Sequence, residues 1–489
     1  MSLSIIGRKK EQKLLRSIYE REDPDFLAVY GRRRVGKTYL IRNFFSGLTC
    51  TYFEITGLKD GSLKEQLHLF TEKLDKVFST HHNENPPKNW LKALYLLTEC
   101  IERKHKNEKI IIFFDELPWL SGQKSGFLQA LDYYWNTNWS FRKKLKLVVC
   151  GSAASWMLNN LIRAKGGLHN RLTATMPLRP FTLFETEEYL KKRGVSLSRR
   201  LILDLYMTIG GVPHYLNNVK KNLSPAQNIN QMCFNKDGML FEEFHILFSS
   251  LFDGSLAHIE LIRIIAGSRN GIDKVELLKK SKHTSSGGRF ATRLNELEEA
   301  GFIASFTPQT HKKKGTFYRV VDEFTLFYLN WIEPASNQLK LSLNSSNYWE
   351  SKMQSQRWKV WSGYAFEAIC FKHIEQIKRA LGIHAIAADI SSWRHIAQIK
   401  GEDGVQIDLL IDRADGIINL CEMKYCEGAF TITKSIAEKL EKKLIVYKTI
   451  MNIPKTVFIT MVTPNGIREN EHSKRIVADQ VTLDDFYQE

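Results

Sequence analysis

The chain is 489 residues long and carries 70 lysines and arginines against 53 aspartates and glutamates, a formal net charge of +17. With 43% hydrophobic and 25% charged residues it has the makeup of ordinary globular domains, which excludes a disordered or collagen-like chain. The basic surplus favours polyanionic partners without naming one. No membrane role is expected, since the most apolar stretches, such as Ile110 to Phe114, fall far short of the ~20 residues of a spanning helix. The first residues contain no secretory apolar region, and the seven scattered cysteines have no zinc-ligand spacing. They read as reduced thiols of a cytoplasmic protein.

In chain order, residues 1–180 alternate short β-rich runs (Phe26 to Tyr30, Ile110 to Phe114, Leu147 to Cys150) with amphipathic helical stretches. That alternation predicts a doubly wound α/β domain with a parallel sheet. Within it, Gly31-Arg32-Arg33-Arg34-Val35-Gly36-Lys37-Thr38 fits G-x-x-x-x-G-K-[ST] on a strand-to-helix turn. The glycines let backbone N–H groups wrap a phosphate at a helix N-terminus. Lys37 is expected to reach the β and γ phosphates, and the Thr38 hydroxyl to ligate Mg²⁺. Arg32 to Arg34 occupy loop positions where only backbone is required, and are expected to form a solvated or subunit-facing basic edge.

The run Ile110 to Phe114 delivers Asp115 and Glu116 at a strand end, Asp115 to hold the Mg²⁺ shell and Glu116 to polarise the attacking water. Leu147 to Cys150 leads to Ser152, a candidate sensor of the γ-phosphate or the water. Arg171 stands where an arginine finger could act across a subunit boundary, or where a salt-bridged surface arginine could sit.

Residues 181–254 read as helical, broken at Gly210-Gly211-Val212-Pro213. Residues 255–335 carry two short helical segments, a longer one from Arg289 to Ala300, and a basic turn at Lys312 to Lys314. This order is that of a winged helix. Ten lysines and arginines between Gly271 and Val320, Arg289, Arg293 and Arg319 among them, face five acids there. A basic helix start and wing suit nucleic-acid phosphates, although a solvated face of a protein-interaction module has the same look.

Gly7-Arg8, the phosphate loop and Gly210-Gly211-Val212-Pro213-His214-Tyr215-Leu216 together resemble the archaeal and bacterial P-loop ATPases of the AAA+/STAND type. The resemblance implies an ATP-binding α/β core, a helical lid and a winged helix over residues 1–335, and a homo-oligomer. It makes Pro213 a candidate adenine contact. It also implies a C-terminal α/β domain like the PD-(D/E)xK restriction endonucleases, here residues 336–489.

The residues of that last segment support such a reading on their own terms. Gln406 to Ile411 reads as a strand, Asp415-Gly416 as a hairpin turn, and Ile417 to Lys424 as the returning strand. Alternation puts Glu422 and Lys424 on one face, where Asp408 of the neighbouring strand can meet them. Asp408 and Glu422 would hold Mg²⁺ or Mn²⁺ while Lys424 orients or deprotonates water. Gly363 to Glu367 is expected to open a helix that brings Glu367 in as a further metal ligand. Ile407 stands where the family has proline, a position without a chemical role. The chain is therefore expected to be a P-loop ATPase regulating a metal-dependent DNA endonuclease. The alternative is an ATP-driven switch or DNA-binding regulator whose C-terminal module only binds.

Overall fold

The computed structural model describes residues 5–122, 124–163, 168, 170–268, 271–282, 287–307, 315–341, 347–395 and 404–488. Two compact units divide the chain, Met1–Pro180 and Phe181–Glu489. All seven cysteines are free thiols.

In the first unit, helix α1 (Lys9–Glu20) precedes strand β1 (Asp25–Tyr30), helix α2 (Lys37–Ser46) and strand β2 (Thr51–Thr56). Strands β3 (Ile110–Asp115), β4 (Leu145–Gly151) and β5 (Ala174–Pro177) complete a sheet of order β2-β3-β4-β1-β5. Every pairing in it is parallel. All six residues of β3 are buried, because both faces of the sheet are covered. Ile110, Ile112 and Phe114 pack on one side with Leu94, Trp90 and Phe127 of flanking helices. Ile111 and Phe113 pack on the other with Leu15, Ile18 and Ile41 of α1 and α2. A period-two strand thus feeds two cores at once, and the loops at its C-terminal end are left to carry the chemistry.

The second unit begins with helices α3 (Leu183–Lys192) and α4 (Arg199–Ile209). Further on come α5 (Ser255–Ala266), β6 (Ile272–Asp273), α6 (Lys274–Lys280), α7 (Gly288–Glu299), β7 (Ile303–Phe306) and β8 (Phe317–Val320). The three strands pair antiparallel in the order β6-β8-β7. After α8 (Glu323–Phe327) and the long α9 (Gln356–Lys372) comes the antiparallel meander β9 (Ala388–His395), β10 (Val405–Arg413) and β11 (Ile417–Met423). Helix α10 (Lys434–Met451) then crosses to β12 (Thr456–Val462), which pairs parallel with both β11 and β13 (Val477–Val481).

Three expectations are corrected here. Glu367 does not open a helix: α9 starts at Gln356, so Glu367 lies well inside it. Arg319, counted with the basic middle, turns inward, its guanidinium 3.4 Å from the Phe371 ring centroid and 4.8 Å from that of Phe306. Arg32 is buried, 4% exposed, so the arginines of the phosphate loop do not form a uniformly solvated edge. Lys312 to Lys314 lie outside the described residues.

Phe113 is wholly buried between β3 and the α1–α2 face. Phe113→Ala is expected to destabilise the first unit by ~3–5 kcal/mol, measured as a shift of its urea unfolding midpoint.

Candidate functional site

The Gly31 to Thr38 segment joins the end of β1 to the start of α2. Gly31 has φ +140°, and a Cβ there would stand 2.3 Å from the Leu178 carbonyl oxygen. Gly36, at φ +91°, caps α2 in a left-handed conformation. The loop is closed over the Lys37 amine, which donates to the carbonyls of Gly31 (2.9 Å) and Arg32 (3.0 Å). Buried Arg8 supports the loop from outside by donating to the Val35 carbonyl at 3.2 Å. The Gly-Arg pair marked the motif in the sequence; that its guanidinium braces the loop did not follow from the pattern.

Thr38 and Asp115, 77 positions apart in the chain, come together at the C-terminal edge of the sheet. The Thr38 hydroxyl donates to Asp115 Oδ2 at 2.9 Å and lies 3.1 Å from Oδ1. Thr56, at the end of β2, adds a second hydroxyl 3.4 Å from Oδ2, a contact with no sequence signal. Burial pushes the Asp115 carboxyl above its ordinary range, and the Thr38 hydrogen bond opposes that. An acid so placed gains from a cation between it and an incoming phosphate.

Glu116 has φ +49° and begins the short helix Leu117–Leu120. Left-handed backbone in a non-glycine residue costs free energy and marks a place where a side chain is being aimed. Here it is aimed at Ser152: the Ser152 amide donates to Oε2 at 3.0 Å and the Ser152 hydroxyl to Oε1. The two strand-end residues thus form one unit in which both carboxylate oxygens are occupied. Arg171 is exposed, on the segment entering β5. Pro213 is half-buried at the first position of the helix Pro213–Leu216, where a missing N–H costs nothing.

Residues 5–219 match the model of an ATPase domain found predominantly in Archaea. The match takes in the N-terminal unit with its phosphate loop and continues into the second unit. An uncharacterized protein of Methanocaldococcus jannaschii is 24% identical over 408 residues, 83% of each chain. Among solved structures, the Walker-type ATPase of Pyrococcus abyssi aligns with 66% of this chain and 96% of its own at 16% identity and a TM-score of 0.48. The ORC2 protein of Aeropyrum pernix aligns with 72% and 96% at 15% identity and a TM-score of 0.45.

A second cluster lies in the C-terminal module. Asp408 sits where the pairing of β10 with β9 slips by one residue, between Ile407↔Trp393 and Leu410↔Ser391. Such a bulge re-aims a side chain at the cost of a local break in the ladder and a bend in the strand. Across the regular β10–β11 pairing, one step beyond Leu409↔Cys421, Asp408 faces Glu422. The Met423 amide donates to Asp408 Oδ2 at 3.3 Å. Glu422 is 5% exposed, with Lys424 Nζ 2.7 Å from one oxygen and Lys443 Nζ 2.7 Å from the other. Lys443 belongs to α10, and nothing in its lysine-rich helix sets it apart in sequence.

Charge binds the cluster together. Burial, then the Asp408 charge, raises the Glu367 carboxyl well above its ordinary range. Burial, then Glu422, raises Asp408. Burial also opposes ionisation of Glu422, but Lys424 and Lys443 outweigh it and hold that carboxyl low. Lys424 pays desolvation too, yet Glu422 and Asp408 keep its ammonium charged. Among the described residues no three histidine, cysteine, aspartate or glutamate side chains are gathered closely enough to hold a metal ion. Both oxygens of Glu422 are turned onto amines.

Lys37→Ala removes the cation at the heart of the loop and is expected to abolish ATP turnover, read by phosphate release. Glu116→Gln is expected to keep ATP affinity within a few-fold while lowering turnover by roughly 10² or more, which equilibrium binding and single-turnover assays separate.

Proposed function

We propose that the chain is an ATPase that regulates a metal-dependent DNA endonuclease in its C-terminal module. The observation that carries the reading is the meeting of Asp408, Glu422 and Lys424 at the β10–β11 pairing, with the charges of Asp408, Lys424 and Glu422 acting on Glu367 of α9. Support comes also from the mixed sheet, an antiparallel meander continued by a parallel strand across α10, which accompanies such sites in PD-(D/E)xK nucleases.

At the nucleotide, Gly31, Gly36 and Lys37 cradle the phosphates, and Thr38 and Asp115 would hold Mg²⁺. Glu116 activates water once Ser152 releases it, and Arg171 is offered to a neighbouring copy. At the C-terminal site the donor set fits a hard cation in kind: carboxylates, with Glu367 and Asp408 half-buried and pushed above their ordinary range by burial and by a neighbouring negative charge. Asp408, Glu422 and Glu367 are the donors on offer, and to hold it they would have to draw together with Glu422 released from a lysine. A divalent cation there supplies charge neutralisation at the scissile phosphate. Lys424, kept charged by its carboxylate neighbours, orients water and stabilises charge growing on the phosphate oxygens. Deprotonation of the water by Lys424 is the less favoured of its two expected roles.

The antiparallel sheet β6-β8-β7 with α5, α6 and α7 has the makeup of a winged helix, and it is the proposed DNA-holding element. Arg289 is exposed at the start of α7. A reading in which the C-terminal module binds but does not cut draws on the two lysines that occupy Glu422.

Asp408→Ala and Lys424→Ala decide between them. With Mg²⁺ or Mn²⁺ and linear DNA, each is expected to lower cleavage by at least ~10³-fold while leaving ATP turnover in place. Cleavage by either variant at the parent rate would discard the nuclease reading. DNA affinity is expected to fall steeply with salt in a filter-binding titration, as charge-driven binding does.

A further inference from the structure

Lys424 and Glu367 come from different elements, and one side chain lies between their carriers. Tyr425 follows Lys424 directly. Its ring packs against Phe366, centroids 5.8 Å apart, and Phe366 is the chain neighbour of Glu367. Its hydroxyl donates to Asp204 Oδ1 on α4. Arg200, one turn earlier on α4, lies over the same ring at 4.1 Å and stands 3.6 Å from Asp204. It also donates to the Cys426 carbonyl at 2.8 Å.

One helix therefore engages the face of Tyr425, its hydroxyl and the carbonyl that follows it. Asp204 is buried, 8% exposed, and an acid in that position costs free energy unless donors meet it. The Tyr425 hydroxyl is such a donor, and Arg200 adds its opposite charge at 3.6 Å. Neighbouring contacts repeat the tie: Arg199 pairs with Asp484 at 2.8 Å, and the Tyr487 hydroxyl donates to the Arg199 carbonyl at 3.1 Å. A tyrosine that served packing alone would need its ring and not a hydroxyl placed on a buried carboxylate.

We propose that Tyr425, held by Asp204 and Arg200 of α4, is the positioning residue that sets Lys424 and the Glu367 helix against each other. This rests on the reading of Lys424 and Glu367 as parts of a phosphodiester-cleaving site. It makes α4, far from that site in sequence, part of its framework.

The test uses the full chain, Mn²⁺ and linear DNA. Tyr425→Phe and Asp204→Ala are each expected to lower kcat by ~10-fold with KM for DNA unchanged, as a misplaced but intact group does. The double variant is expected to be no slower than either single one, because both remove the same hydrogen bond. Hydrogen exchange gives a second readout: amides from Lys424 to Cys426 should exchange faster in Tyr425→Phe, with other segments unchanged. Parent-like kcat in both variants, additive losses, or unchanged exchange would overturn the proposal. Lys424→Ala, run beside them, separates the two levels. Loss of cleavage there with full activity in Tyr425→Phe overturns the positioning role alone; cleavage that survives Lys424→Ala overturns the nuclease reading and this one with it.

Discussion

A carboxylate removed from water must be met by a cation, a proton or a set of donors, and that constraint organises both candidate sites of this chain. Asp115 is met by two threonine hydroxyls, Glu116 by both donors of Ser152, and Glu422 by two ammonium groups. Asp408 and Glu367 are not fully met, and their carboxyls hold protons more tightly as a result. Asp115, Asp408 and Glu367 are the acids at which added positive charge would be favoured. The +17 surplus of the whole chain is the background; the chemistry is assigned to the acids set within it.

How the acids reach their positions differs between the sites. In the N-terminal unit a parallel sheet buried on both faces ends its strands at one edge, so β1, β3 and β4 deliver the phosphate loop, Asp115 and Ser152 to neighbouring loops. In the C-terminal module a bulge in β10 and the register of a hairpin bring Asp408 opposite Glu422. The first solution depends on backbone conformation at Gly31, Gly36 and Glu116; the second depends on side chains that hold one another in a buried field.

That difference explains what the sequence disclosed. The phosphate loop was legible because its glycines and lysine answer to backbone geometry within eight residues of chain. The strand Ile110 to Phe114 was legible because a strand covered on both faces has to be apolar throughout. Asp408, Glu422 and Lys424 were legible from alternation on a hairpin. Lys443, Thr56 and the burial of Arg32 were not, since each is decided by tertiary packing of a residue type that is usually exposed or unremarkable. The Asp204 to Tyr425 hydrogen bond spans 221 positions and has no local pattern at all. The start of α9 was placed too late because its first turns, rich in tryptophan and lysine, have no clean apolar stripe, and Glu367 was put at a helix start in consequence.

The most direct measurement of the central claim is a Mn²⁺ titration of the intact protein followed by electron paramagnetic resonance, with and without a non-hydrolysable ATP analogue. The account predicts one site that fills without nucleotide and disappears in Asp408→Ala, and a second that requires nucleotide and disappears in Lys37→Ala. Absence of a nucleotide-independent Mn²⁺ site, or its persistence in Asp408→Ala, would contradict it.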